Sequence, residues 1–191
     1  LELRTVNLKA KDFNWTTTVN LSVSKNKLVS FPGLEGSTYA NSLVVGESLG
    51  IVKVYHYTGI DPQTGTYTFE DYNGDGIINA SDRQYIADTA PEYFGGLANK
   101  FNHKSWELDF LFQFVKQQGR NFAYTALPPG LMVNQAVEVT SHWPQDGEGA
   151  YSQLYTSGVN DDAINAADRF SNSSASISDA SFIRLKSIIL S

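Results

Sequence analysis

Along FNWTTTVNLSVS, residues 13 to 24, hydrophobic and polar positions alternate. Phe13, Trp15, Val19, Leu21 and Val23 share one register with Thr17, while Asn14, Thr16, Thr18, Asn20, Ser22 and Ser24 fill the other. Side chains alternate across a strand, so this period predicts a strand with one apolar and one polar face. WELDFLFQF, residues 106 to 114, repeats the pattern. Trp106, Leu108, Phe110, Phe112 and Phe114 oppose Glu107, Asp109 and Gln113, with Leu111 the apolar member of the polar register. IVKVYHY (51–57) and TYTF (66–69) read as shorter strands, and SFIRLKSIIL (181–190) as a strand whose inward face is ambiguous.

Between these runs stand turn residues. FPGLEG (31–36), GIDPQTG (59–65) and LPPG (127–130) carry Pro and Gly where the chain reverses. Residues 116 to 180 have weak periodicity, and SNSSASISDAS (171–181) within them reads as an exposed loop. Helix signals are few: a turn after Asp82 in RQYIADTA, and residues near 134 to 142. The chain is therefore mainly β, with antiparallel strands. A strand of about eleven residues tilted by ~45° rises roughly 26 Å, close to the ~25 Å apolar band of an outer-membrane barrel. Strands of a soluble sandwich alternate too, and on periodicity alone the sandwich, as the commoner architecture, is favoured.

Composition narrows the function classes. The 191 residues carry a net charge of -6 with no basic run, which argues against a nucleic-acid partner. With no cysteine, disulfides, thiol catalysis and cysteine-bound zinc are excluded. The 10 Tyr, 11 Phe and 3 Trp suit binding surfaces and membrane interfaces. No run approaches the ~18 apolar residues of a transmembrane helix. The chain opens on LELRTVNLKA without Met and ends in RLKSIILS, so it reads as a piece of a longer protein.

The densest chemistry is DYNGDGIINASD, residues 71 to 82. An EF-hand-type loop offers oxygens at positions 1, 3, 5, 7, 9 and 12 and turns sharply at a Gly in position 6. Asp71, Asn73, Asp75, the carbonyl of Ile77, Asn79 and Asp82 occupy those positions, with Gly76 at the turn and Ile78 as an apolar anchor. Oxygen donors with three carboxylates match Ca²⁺ better than Mg²⁺, which demands a tight octahedron. Asp rather than Glu at position 12 requires a tighter loop. The alternative is an Asp/Asn/Gly-rich loop that turns the chain through Asx-turns. INAADRF (164–170) echoes INASDRQ (78–84), but Ser157, Val159 and Asp162 stand upstream where Asp, Asn and Gly are needed, so no second site is expected.

Catalytic constellations are absent, and the chain is not expected to be an enzyme. His56, His103 and His142 are widely spaced and read as surface or loop histidines. Glu107 and Asp109 read as a polar strand face rather than a carboxylate pair, Gly95-Gly96 as a turn or bulge, and the Ser-rich run holds no nucleophile elbow. Tyr55, Tyr57, Tyr67, Trp143, Tyr151 and Tyr155 could stack on sugar rings, but packing of loops on one another is the simpler role.

The order of phrases is similar to that of the SusC/RagA family of TonB-linked outer-membrane proteins. KDFNWTTTVNLSVSKNKLVSF, LVVGESLG, YTGIDPQTGTYTFEDYNGDGIINASDR, APEYFGGLANKFNHKSWELDFLFQFVKQQGRN, HWPQDG and SISDASFIRLKSIILS carry the resemblance. It covers nearly the whole chain and is weakest between residues 120 and 140. The resemblance reverses the preference for a sandwich. It implies a stretch of a transmembrane β-barrel in the outer membrane of a Gram-negative bacterium, near but short of the barrel's C-terminus. Phe13 to Val23 and Trp106 to Phe114 would turn their apolar registers to lipid. Asn14, Thr16, Asn20, Glu107, Asp109 and Gln113 would face the lumen, with Trp15 and Trp106 in an aromatic girdle. Residues 43 to 99 would form an extracellular loop region with the calcium loop at 71–82, and residues 116 to 180 a second long loop region. The function implied is nutrient import, of an oligosaccharide or peptide, by a full-length protein working with TonB and a SusD-like surface lipoprotein. The alternative is a soluble secreted calcium-binding β-module, carbohydrate-binding or dockerin-like, against which the degenerate second copy counts.

Overall fold

The computed structural model describes residues 1–144 and 149–191, so the end of the HWPQDG phrase lies outside the described residues. In chain order the strands are β1 Glu2–Lys9, β2 Phe13–Ser22, β3 Ile51–Val54, β4 Tyr57–Ile60, β5 Tyr67–Phe69, β6 Tyr85–Asp88, β7 Tyr93–His103, β8 Trp106–Lys116, β9 Gln118–Arg120, β10 Ile177–Asp179 and β11 Phe182–Leu190. Helix α1, Asp161–Ser171, stands between β9 and β10. No helix among the described residues is long and apolar enough to cross a membrane. Contacts divide the chain into two compact units: residues 1–26, 89–118 and 179–191, and residues 27–88 and 119–178.

The first unit is an antiparallel sheet in the order β1-β2-β7-β8-β11. Its register aligns the alternation of neighbouring strands. Trp15 lies opposite Phe101, Phe101 opposite Leu108, and Leu108 opposite Leu190. Val19, Leu97, Phe112 and Leu185 form a parallel row on the same face. The other face carries Asn14 with Asn102 and Glu107, and Thr16 with Lys100 and Asp109. A one-residue slip would exchange the faces, so these rows hold the register. The ambiguity of the last strand has a physical cause. A bulge between Leu185 and Ser187 shifts its parity, so Ile183 and Leu185 share a face with Ile188 and Leu190.

Gly95 and Gly96 form no turn; both lie within β7. A β-carbon on Gly95 would enter the Asn20 carbonyl and come within 2.6 Å of the Phe114 ring. Gly95 therefore lets a ring and a backbone close over the strand, and β7 begins at Tyr93, earlier than the expected loop boundary at 99. The connections are asymmetric. β1 to β2 and β7 to β8 are joined by turns at residues 10–12 and 104–105, at one end of the sheet. Residues 23–92 and 117–181 both leave from the opposite end.

The second unit is built from those long connections. β3 pairs with β6 and β4 with β5, both antiparallel. Its core joins Tyr67, Ala123, Ala166 and Phe170, with Tyr57, Ile60 and Phe69 packed against them. Tyr67 stacks on Phe170 at 4.0 Å. Helix α1 was not legible in the pattern because its buried stripe is largely alanine: Ala163, Ala166, Ala167 and Phe170. Asn160 caps it by accepting the Ala163 N–H at 3.1 Å, and Asp161 and Asp162 complement the positive end of its dipole. The other helical expectations resolve differently. RQYIADTA contributes β6, held by pairing with β3, and residues 134–142 contribute a single 3-10 turn, Val137–Thr140. Ser173 and Ser176, expected in an exposed loop, are fully buried. Their hydroxyls donate to the Phe170 and Ser173 carbonyls, each at 2.7 Å, which satisfies them away from water.

Candidate functional site

The 71–82 loop is a coil of backbone N–H groups turned toward acidic side chains. Asp71 accepts from Gly74 at 2.8 Å with one oxygen and from Gly76 at 2.7 Å with the other. The Asn73 carbonyl accepts the Asp75 N–H at 3.0 Å, and Asp75 accepts the Ile77 N–H at 2.8 Å. At the far end Asp82 reaches back, accepting from Tyr72 at 3.0 Å and from Asn79 at 2.8 Å. Gly74 and Gly76 have φ of 70° and 81°, a left-handed turn that favours glycine. Asp82 is only 2% exposed, and the Asn79 N–H leads the interactions that hold its carboxyl below the usual range. Ile78 is half-buried, as an anchor should be, while Ile77 is exposed.

All the expected positions thus fall in one turn of chain, but they do not form a closed cage. Among the described residues, no three His, Cys, Asp or Glu side chains form a metal-holding group. The Asn79 amide donates to the Ile77 carbonyl at 3.1 Å, and the Asn73 amide donates to Asp75 at 3.0 Å. A cation would take the place of those two donors. The donor chemistry fits calcium: the oxygens are hard, and those of Asp71 and Asp75 each keep a lone pair beyond one partner, whereas Asp82 Oδ1 already accepts from both Tyr72 and Asn73. The downstream echo INAADRF lies within α1 and makes no loop.

Both ends of the loop are seated on one short stretch of chain. The Glu70 N–H donates to the His56 carbonyl at 3.0 Å, and the Glu70 carboxylate meets His56 Nδ1 at 2.8 Å. Past the loop, Tyr85 pairs with Val54 and stacks on His56 at 5.7 Å. The Arg83 guanidinium lies 5.0 Å above the Tyr55 ring. Arg83 was not singled out from sequence; the available signal was a long cation directly after the last acidic position of the loop.

The loop aromatics mostly pack. Tyr55 and Tyr67 are buried, and burial pushes the Tyr57 hydroxyl up to about 12. Tyr155 stays more open, with its hydroxyl donating to the Val139 carbonyl and its ring stacked on His142 at 3.8 Å. On the polar face of the sheet, Lys100 pairs with Glu107 and lies 3.5 Å from Asp109. These carboxylates are therefore bound in an ion cluster with Lys100.

No family model matches the chain. Two TonB-dependent receptors of Formosa agariphila are similar to it. One is 29% identical over 98% of this chain and 21% of its own length. The other is 27% identical over 72% of this chain and 16% of its own length. Two solved structures share the fold at 18% identity: the RagAB peptide transporter, with a TM-score of 0.70 over 98% of this chain, and the RagAB peptide importer in its closed-closed state, with 0.66 over 99%. The chain covers 21% and 22% of those two chains, so it spans about a fifth of the proteins it matches. The resemblance to TonB-linked receptors of the SusC/RagA kind, read from the order of its phrases, is borne out over most of the chain.

Proposed function

We propose that the chain is a barrel segment with two extracellular connections of an outer-membrane importer driven through TonB, taking up an oligosaccharide or a peptide together with a SusD-like surface lipoprotein. The observation that carries this reading is the asymmetry of the two-faced sheet, with short turns at one end and connections 23–92 and 117–181 at the other. Outer-membrane barrels have short periplasmic turns and long outer loops. On this reading the Trp15, Phe101, Leu108 and Phe112 face meets lipid, and the Asn14, Thr16, Lys100, Glu107 and Asp109 face lines the lumen. Trp15 and Trp106 sit toward the short-turn end, where an aromatic girdle on the periplasmic side belongs. The sheet edges at β1 and β11 pair with neighbouring strands of the same barrel, since lipid tolerates no open edge.

The second part of the proposal is calcium in the 71–82 loop. Asp71, Asn73, Asp75, the Ile77 carbonyl and Asp82 would hold it, with Asn79 acting through a water. The ion supplies charge neutralisation and a fixed loop shape rather than chemistry. Such a staple suits a polar connection that must keep its form outside the membrane.

The test uses the full-length receptor in its own cell. A cysteine introduced at Tyr72 is expected to react with a membrane-impermeant maleimide on intact cells, and one at Lys104 only after lysis. Deletion of the gene is expected to abolish growth on one class of polymer, glycan or peptide. Labelling at Lys104 alone on intact cells would reverse the topology. Unaffected growth on every polymer tried, with transport of labelled substrate intact, would remove the importer reading.

A further inference from the structure

We infer that calcium in the 71–82 loop is sensed by the second long connection, through Val54–Tyr57 and with Arg83 as the positioning residue. The inference rests on the calcium reading above. Glu70 and Arg83 flank the first and last ligand positions, and both are held by this stretch: Glu70 by His56, Arg83 by Tyr55. The opposite edge of the same stretch holds the other connection. The Tyr55 N–H donates to the Asn172 carbonyl at 3.0 Å, and its carbonyl accepts the Ser174 N–H at 2.7 Å. The Tyr57 N–H donates to the Ser174 hydroxyl at 3.0 Å. Asn172 and Ser174 follow directly on α1, which ends at Ser171.

The Arg83 arm of this route is shielded at both ends, whereas the His56–Glu70 arm is exposed. Asp82 is 2% exposed, Tyr55 4%, and Ser173 fully buried. Arg83 Nε is shut from water with no acceptor among the described residues, so the guanidinium is held by the Tyr55 ring and by its place beside Asp82. Closing the loop on an ion fixes Asp71 and Asp82. That in turn fixes Glu70 and Arg83 against Tyr55 and His56, and so holds the backbone that clasps residues 172–174. Local opening of the clasp then requires opening of the ion loop as well. Coupling of this kind is reciprocal: whatever loosens 172–174 must weaken ion binding by the same factor.

The test is hydrogen exchange of the full-length receptor in detergent, with and without Ca²⁺. Tb³⁺ luminescence, sensitised by Tyr72, reports ion binding separately. Calcium is expected to slow exchange at Tyr55, Ser174 and the last turn of α1 by about tenfold, alongside protection in 71–82. Arg83→Met, which keeps an apolar chain on Tyr55, is expected to retain Tb³⁺ binding and loop protection but to lose the effect at 172–174. Protection confined to 71–82 in the parent protein overturns the coupling and leaves the calcium reading standing. An Arg83→Met protein with undiminished protection at 172–174 overturns the route. Absence of both Tb³⁺ luminescence and loop protection removes the calcium reading, and the coupling with it.

Discussion

The indole N–H of Trp15 donates to the side-chain carbonyl of Asn99 at 2.9 Å, on the face of the sheet that carries Phe101, Leu108 and Phe110. The Thr17 hydroxyl donates to the same oxygen at 2.7 Å, and Asn7 donates to Thr17 at 2.6 Å. Asn99 is thus the acceptor that lets a tryptophan and a threonine sit on an apolar face with their polar atoms satisfied. Asn99→Ala strips two donors of their partner. It is expected to destabilise the sheet by about 1 kcal/mol, since both donors are only partly buried. Urea unfolding of the full-length protein measures it, and a change within a few tenths of a kcal/mol would refute the role.

Adjacent glycines in β7 make a matched pair of controls. Gly95→Ala must displace the Asn20 backbone as well as the Phe114 ring, whereas Gly96→Ala comes closest to the movable Asn20 amide, at 3.3 Å. The first is expected to cost about 1–3 kcal/mol by overpacking, and the second distinctly less. Equal losses in the same unfolding assay would contradict the register of β2 on β7.

On the calcium proposal, removal of the ion is expected to lower thermal stability. Asp75→Ala deletes a carboxylate at the middle of the loop and is expected to abolish any rise in melting temperature on adding Ca²⁺. The parent protein is expected to lose that rise with chelator and to regain it with excess calcium. A parent melting curve indifferent to both treatments would leave DYNGDGIINASD as a turn built from Asx-turns alone.

Alkaline titration reads the second unit's core. Tyr57 is pushed from 10.0 to about 12, first by burial and then by Tyr67 and Tyr151 nearby. Tyr67 is raised by burial too. The fold therefore favours the neutral phenols. Their contribution to stability is fully present below pH 10, the unfolded value, and is lost as pH rises from there through about 12. Absorbance in the phenolate band is expected to show this pair ionising late, together with loss of the fold. Tyr57→Phe should remove one late phenolate; an unchanged late phase would assign it elsewhere.

Helix α1 offers a local stability test. Asn160→Ala removes the cap on the Ala163 N–H and is expected to cost about 1 kcal/mol, read as faster hydrogen exchange in the first turn of the helix. Exchange there at the parent rate would mean that the cap contributes nothing.

What the sequence disclosed follows from where large side chains sit. β2 and β8 alternate with Trp, Phe and Leu on one face, so their strands and faces could be read directly. β11 resisted because one bulged residue, Lys186, reverses the parity midway. α1 was hidden by a stripe of alanines, and the buried serines 173 and 176 were hidden by polarity they satisfy internally. The loop positions Asp71 to Asp82 followed from spacing alone. Their seat on Val54–Tyr57 did not, because it depends on pairings of β3 with β6 and β4 with β5 that no local pattern encodes.

The placement of both long connections at one end of the sheet has an evolutionary consequence. Closure entropy rises only slowly with loop length, so residues can be gained or lost there at little cost to folding. A strand residue gained or lost would invert every side chain beyond it. The connections are thus free to diversify by insertion, while the strands of the sheet are held to their register. Variation in length is expected to concentrate between residues 23 and 92 and between 117 and 181, with the strand pairing kept.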